Sequence, residues 1–145
     1  MRFLNSLRPM GLVALRLALA LIFIYHGYPK LVRVDAGMHE FFMQHGLPSY
    51  FVGLAGILEC FGGGLLAFGL FTRPVGLLLA VEMAIAIWKV KLIHGVMAVS
   101  EYQFELVLAA ACFAVATLGA GPLSLDHAVF GESGRKRKSA KSPMD

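Results

Sequence analysis

An all-α fold, a transmembrane four-helix bundle with a short amphipathic outer helix between the first two spans, is what this chain predicts. Three observations point there. First, 58% of its 145 residues are hydrophobic and only 15% are charged, whereas a soluble domain is nearer half apolar and a quarter charged. Second, the apolar residues gather into four stretches close to the ~20 residues that carry a helix across ~30 Å of hydrocarbon. Third, Tyr25, Tyr28, Tyr50, Trp88 and Tyr102 stand at the ends of those stretches on one side, as an interfacial aromatic belt does.

The first span runs from about Met10 to His26, where Gly27 and Pro29 are expected to break it. Arg2 and Arg8 ahead of an apolar run resemble a secretory leader. Phe23, Ile24, Tyr25 and His26 stand where cleavage needs small residues, so this span is expected to be retained. Within the following connection, Ala36 to Gln44 carries Met38, Phe41 and Phe42 at helical spacing before His45 and Gly46, which predicts a short helix lying on the membrane surface. The second span runs from about Tyr50 to Leu70. Thr72, Arg73 and Pro74 make the next turn, Pro74 suiting a first helical position. The third span then reaches about Val90, with Lys89 and Lys91 snorkelling outward. A fourth extends from Tyr102 to about Gly119, and Gly121 and Pro122 close it. Residues 1–130 read as one membrane domain and 131–145 as a disordered basic tail.

Arg2, Arg8, Arg73, Arg135, Lys136, Arg137, Lys138 and Lys141 fall on the face with both termini, and Lys30, Arg33, Lys89 and Lys91 on the other. Eight cations against four predict cytoplasmic termini in a bacterial inner membrane. The net charge of +4 then needs no nucleic acid; the run Arg135–Lys138 reads as a topology anchor with some affinity for anionic lipid.

Each span carries one ionisable residue: Arg16, Glu59, Glu82 and Glu105. Charge inside a bilayer costs about 2.5–3.5 kcal/mol per residue on insertion scales, so these are the candidate catalytic residues. Glu59 lies nine residues below Tyr50 and Glu82 eight above Pro74, which at ~1.5 Å per residue sets both near mid-membrane. Arg16, entering from the cytoplasmic end, is expected to pair with one or both of them, because its planar fork holds two acceptors. Glu105 lies nearer the outer face, at the level of His26 and His94. One polar chain and two separate sites are both open arrangements, and plain interhelical hydrogen bonding is the alternative to a chemical role. Ala55, Glu59 and Gly63 share one face of the second span, and Gly56, Cys60 and Gly64 form an adjacent small-residue strip for close helix approach.

Cys60 and Cys112 fall mid-span with no Cys-x-x-Cys, so they read as buried apolar thiols rather than a dithiol. His26, His94 and Glu105, with His39 or His45, show no metal-ligand spacing; no bound metal, haem or flavin is predicted.

His26-Gly27-Tyr28-Pro29-Lys30, Glu59 with Gly63 and Gly64, Gly69-Leu70-Phe71-Thr72-Arg73, Glu101-Tyr102 with Glu105, and Gly121-Pro122-Leu123-Ser124-Leu125-Asp126 follow one another in an order and spacing that resembles the DoxX family of inner-membrane proteins. The resemblance covers nearly the whole chain up to Asp126. It implies a four-helix membrane protein tied to quinone-linked redox systems, among them a thiosulfate:quinone oxidoreductase, with some relatives in complexes that handle oxidative stress. By the same resemblance His26, Lys30 and Arg73 are the candidate cofactor-contacting residues. The third connection departs from the family pattern in carrying a single histidine, His94.

Three functions from different classes follow. In one, a quinone enters an apolar crevice between helices, its protons pass through Arg16, Glu59 and Glu82, and electrons come from a redox protein partner. In another the chain is a membrane anchor, an assembly partner or a homo-oligomer held by its polar cluster. The third is a small transporter of protons or a polar solute along Glu105, Glu59 and Glu82, without the internal repeats usual in transporters.

Overall fold

A computed structural model describes residues 6–33, 36–92 and 99–130. Arg2, His94 and the basic tail 131–145 with its run Arg135–Lys138 lie outside the described residues. All regular structure among the described residues is helical: α1 (Arg8–Val32), α2 (Ala36–Gln44), α3 (Phe51–Phe68), α4 (Thr72–Ala86), which continues as a π-helical turn Ile87–Lys91, α5 (Val99–Leu118) and a short final helical segment at residues 125–130. By length and composition α1, α3 and α5 are each able to cross a membrane. Helix α4 nears that length only with its π-helical extension.

The bundle is built as two tight pairs, α1 on α3 and α4 on α5, joined chiefly by α3 against α4. Glycine sets the first pair. A Cβ on Gly27 would stand 2.7 Å from Glu59 Cβ and one on Gly56 2.9 Å from Lys30 Cβ, while Gly63 sits against Ala20 and Ile24. In lipid, where helix association rests on van der Waals contact rather than on exclusion of water, such close backbone approach is the main attractive term. Gly76 does the same against Cys112 and Ala116 in the second pair. The predicted small-residue strip is thus real at Gly56 and absent at Gly64, which faces open space.

Helix α1 does not end at Gly27 and Pro29, contrary to the sequence expectation; it runs on to Val32 with Pro29 inside it. Gly27 serves close contact rather than chain reversal. The missing N–H of Pro29 leaves only the Tyr25 carbonyl without its helical donor, near the polar end where this costs least. Helix α2 spans the predicted segment and stops in a Schellman motif: Leu47 N–H donates to the Phe42 carbonyl, Gly46 N–H to that of Met43, and Gly46 has φ 70°. Helix α3 stops the same way at Gly69 (φ 66°) and Leu70.

Where α1, α3, α4 and α5 meet, Leu19, Phe23, Leu66, Leu79, Leu108, Cys112 and Val115 form the core. Large apolar side chains on the outside, such as Leu21, Phe61, Phe68, Val107 and Phe113, remain exposed and are the lipid-facing surface. Tyr25, Tyr28, Tyr50 and Trp88 are exposed too, at the level of the expected aromatic belt.

Candidate functional site

The buried stripe of α1 reads Arg16, Leu19, Ala20, Phe23 and Gly27, steps of three and four that keep one helix face turned inward. Lys30 continues it. Arg16 and Lys30 are therefore two cations on one face, fourteen residues or roughly 21 Å apart along the axis. Each sits in a different end of the bundle.

At the first end Arg16 is almost wholly buried, 2% exposed. Its guanidinium donates 2.8 Å to the carbonyl of Ala120 and 2.9 Å to that of Leu123. Those carbonyls belong to a strap that leaves α5 through Gly119 (φ 81°) and Gly121 (φ 79°) and folds back across the bundle. Asp126 fastens its far side: one carboxylate oxygen accepts from Phe71 N–H at 2.8 Å, the other from Thr72 N–H at 2.9 Å, and the Asp126 N–H reaches the Gly69 carbonyl at 2.9 Å. The carboxylate thereby caps the N-terminus of α4. Gly69 is dictated by two constraints at once, a left-handed φ of 66° and a Cβ position already filled by the Arg16 guanidinium and Ser124.

At the second end the Lys30 ammonium donates to both oxygens of Glu59, at 2.6 and 2.7 Å. The two side chains are 23% and 3% exposed, so the pair is shielded on the carboxylate side and open on the ammonium side. The contacts of Gly27 and Gly56 let α1 come close enough for it. Beside the pair lies a crevice of about 260 Å³ among α1, α2, α3 and α4, lined by Lys30, Phe42, Leu54, Ala55, Glu59 and Glu82 with mostly aliphatic neighbours. Both carboxylate oxygens of Glu82 are buried and have no hydrogen-bond partner among the described residues. An unpartnered buried carboxyl is expensive. Set in a crevice, it is a group able to hydrogen-bond a guest molecule and exchange a proton with it.

The expected pairing of Arg16 with Glu59 or Glu82 is not what forms. Arg16 is held by main-chain carbonyls, and Lys30 takes Glu59 because α1 continues past Gly27. Of the two arrangements left open by the sequence, separate sites is the one observed. Glu105 pairs with Lys91 at 3.4 Å. His26 lies near Glu59 and Glu105 around a second, smaller cavity, whereas Arg73 is at the opposite end, exposed beside Gly119, so the three candidate cofactor-contacting residues do not converge. His39 and His45 bond the carbonyls of Ser49 and Phe41, and among the described residues no three His, Cys, Asp or Glu side chains gather as metal ligands. Cys112 is buried in the core, Cys60 partly covered, and both are free thiols. Sequence reasoning missed Phe42 and Leu47 as walls of the crevice; the apolar stripe of α2 was the available signal.

The sequence profile of the family described as DoxX matches residues 11–92. A Bacillus subtilis protein named "Putative oxidoreductase CatD" is 35% identical over 127 residues, 88% of this chain and 92% of its own length. A Haemophilus influenzae protein, described only as uncharacterized, is 40% identical over 86 residues, 59% of this chain and 63% of its own. No solved structure matches the chain.

Proposed function

Because this chain belongs to the DoxX family of membrane proteins, we propose that it serves a membrane redox system by holding a quinone in the crevice beside Lys30, Glu59 and Glu82. The observation that carries this reading is the orphaned Glu82 carboxyl facing an apolar cavity next to a short ion pair. The naming of a relative as an oxidoreductase agrees with it.

The residues present fit such a guest. A cavity of about 260 Å³ is just below the ~300–1,000 Å³ typical of ligand pockets, room for a single ring whose apolar tail runs into lipid. Leu54, Ala55, Leu58, Leu78 and Val81 offer the ring an apolar wall, and Phe42 and Leu47 of the α2 region cover it. Lys30 is a donor and Glu82 a proton-exchanging group for the polar oxygens of the guest. Glu59 fixes the Lys30 ammonium in place and balances its charge. A quinone bound there would supply the redox chemistry, with two electrons coming from a reduced protein partner and two protons converting it to a quinol.

The same reading places the protein in a bacterial inner membrane with both termini in the cytoplasm. It rests on the sequence count of eight lysines and arginines on the face that carries both termini against Lys30, Arg33, Lys89 and Lys91 on the other. The crevice then belongs to the outer half of the bilayer, and Arg16 has no part in the chemistry.

Gentle extraction from the native membrane followed by mass spectrometry tests this. Quinone should accompany the wild-type chain and be lost from Lys30→Met and from Glu59→Gln. A stoichiometric protein partner without quinone would instead support the membrane-anchor reading.

A further inference from the structure

We propose that His26 is the station through which protons from the aqueous surface reach the buried carboxylates, a step that builds on the proton-handling role given to Glu82 above. A second cavity of about 160 Å³ lies on the other side of the Lys30–Glu59 pair. It shares Lys30, Glu59, Met83 and Ala86 with the crevice, so the ion pair is the partition between the two spaces.

The two spaces differ in character. His26, Lys30, Glu59 and Glu105 all reach the smaller one, and a cavity with that many polar partners holds water where an apolar one stays dry. At ~30 Å³ per molecule there is room for about five waters. Around the route, α1 contributes His26 and Lys30, α3 Glu59, α4 Glu82 with Lys91 in its π-helical extension, and α5 Glu105, which Lys91 holds at 3.4 Å.

The imidazole is oriented for this task. Its Nδ1 lies 2.8 Å from the Ile22 carbonyl, which only accepts, so Nδ1 carries the hydrogen and Nε2 of the neutral ring keeps its lone pair. The ring is exposed on one side and packs against Phe104 on the other, centroids 5.7 Å apart. Nε2 takes a proton from surface water and releases it through the cavity waters to Glu59. The imidazole returns to neutral, and the proton passes from Glu59 to Glu82, which borders the same crevice.

The experiment uses the full chain in liposomes without added quinone. The carboxyl C=O stretch of Glu82, identified by its disappearance in Glu82→Gln, is followed by infrared spectroscopy after a switch from H2O to D2O. We expect His26→Ala to slow its isotope shift at least tenfold, and added imidazole to restore the rate, a rescue that a purely structural histidine would not show. Gly11→Ala, on α1 remote from both cavities and with nothing within 4 Å of the added Cβ, should leave the rate unchanged. An unaltered rate in His26→Ala, equal slowing in Gly11→Ala, or the absence of any exchangeable Glu82 band overturns the proposal. Quinone retention in His26→Ala, measured separately, distinguishes failure of this route from failure of the crevice reading.

Discussion

The two ends of the bundle each hold a cation from the same face of α1, and they use it in opposite ways. At the strap end Arg16 meets neutral main-chain carbonyls, Asp126 takes two backbone N–H groups, and every contact joins segments distant in sequence. At the crevice end Lys30 meets a single carboxylate, a second carboxylate stands without a partner, and the ion pair itself lines two cavities, whereas the larger open cavity at the strap end is lined by Arg73 and Asp126 and not by Arg16. A buried charge whose neighbours are fixed dipoles of the chain works as a rivet. A buried ion pair between cavities, beside an unsatisfied acid, is a poor rivet and a reasonable reactive site. The distinction explains why charge inside the membrane does not by itself mark function.

The comparison predicts where substitutions will hurt. Arg16→Ala should be the most damaging, losing about 3–5 kcal/mol because two bonds to a charged donor vanish and two carbonyls are stranded; thermal unfolding in detergent should show it, with quinone retention unchanged in whatever protein remains folded. Lys30→Met should cost about 3 kcal/mol by leaving Glu59 unpaired. The double change Lys30→Met with Glu59→Met should recover much of that stability and still lose quinone. Full retention of quinone by this double variant would collapse the distinction between the two ends. Asp126→Ala removes the cap of α4 and should lower stability by about 1 kcal/mol, without touching proton exchange at Glu82. Glu82→Gln is the smallest in stability, within about 1 kcal/mol of wild type since no hydrogen bond is lost, yet it should abolish quinone-dependent proton uptake in liposomes.

Much of the fold is legible along the chain. The predicted short helix coincides with α2, the glycine that ends it adopts a left-handed φ, and the turn at Thr72 to Pro74 stands where α4 begins. These features depend on residues within one or two turns of each other, so local sequence suffices. Gly27 and Pro29 were misleading for the same reason. Read locally they break a helix, but Gly27 faces α3 and its lack of a Cβ is a tertiary requirement. A helix ended at Gly27 leaves Lys30 outside the bundle and Arg16 as the apparent partner of Glu59, whereas the continuous α1 brings Lys30 to it.

The sequence alone therefore determined the all-helical membrane class, the order of the helices, the short helix over Ala36–Gln44 and the four ionisable positions on the long helices, because composition and a 3.6-residue period are properties of a segment. Only the tertiary structure decided which charges meet. Partner choice depends on how far each helix is rotated, how deep it sits and how closely glycine lets it approach its neighbour, and those quantities are set jointly by α1, α3, α4 and the strap.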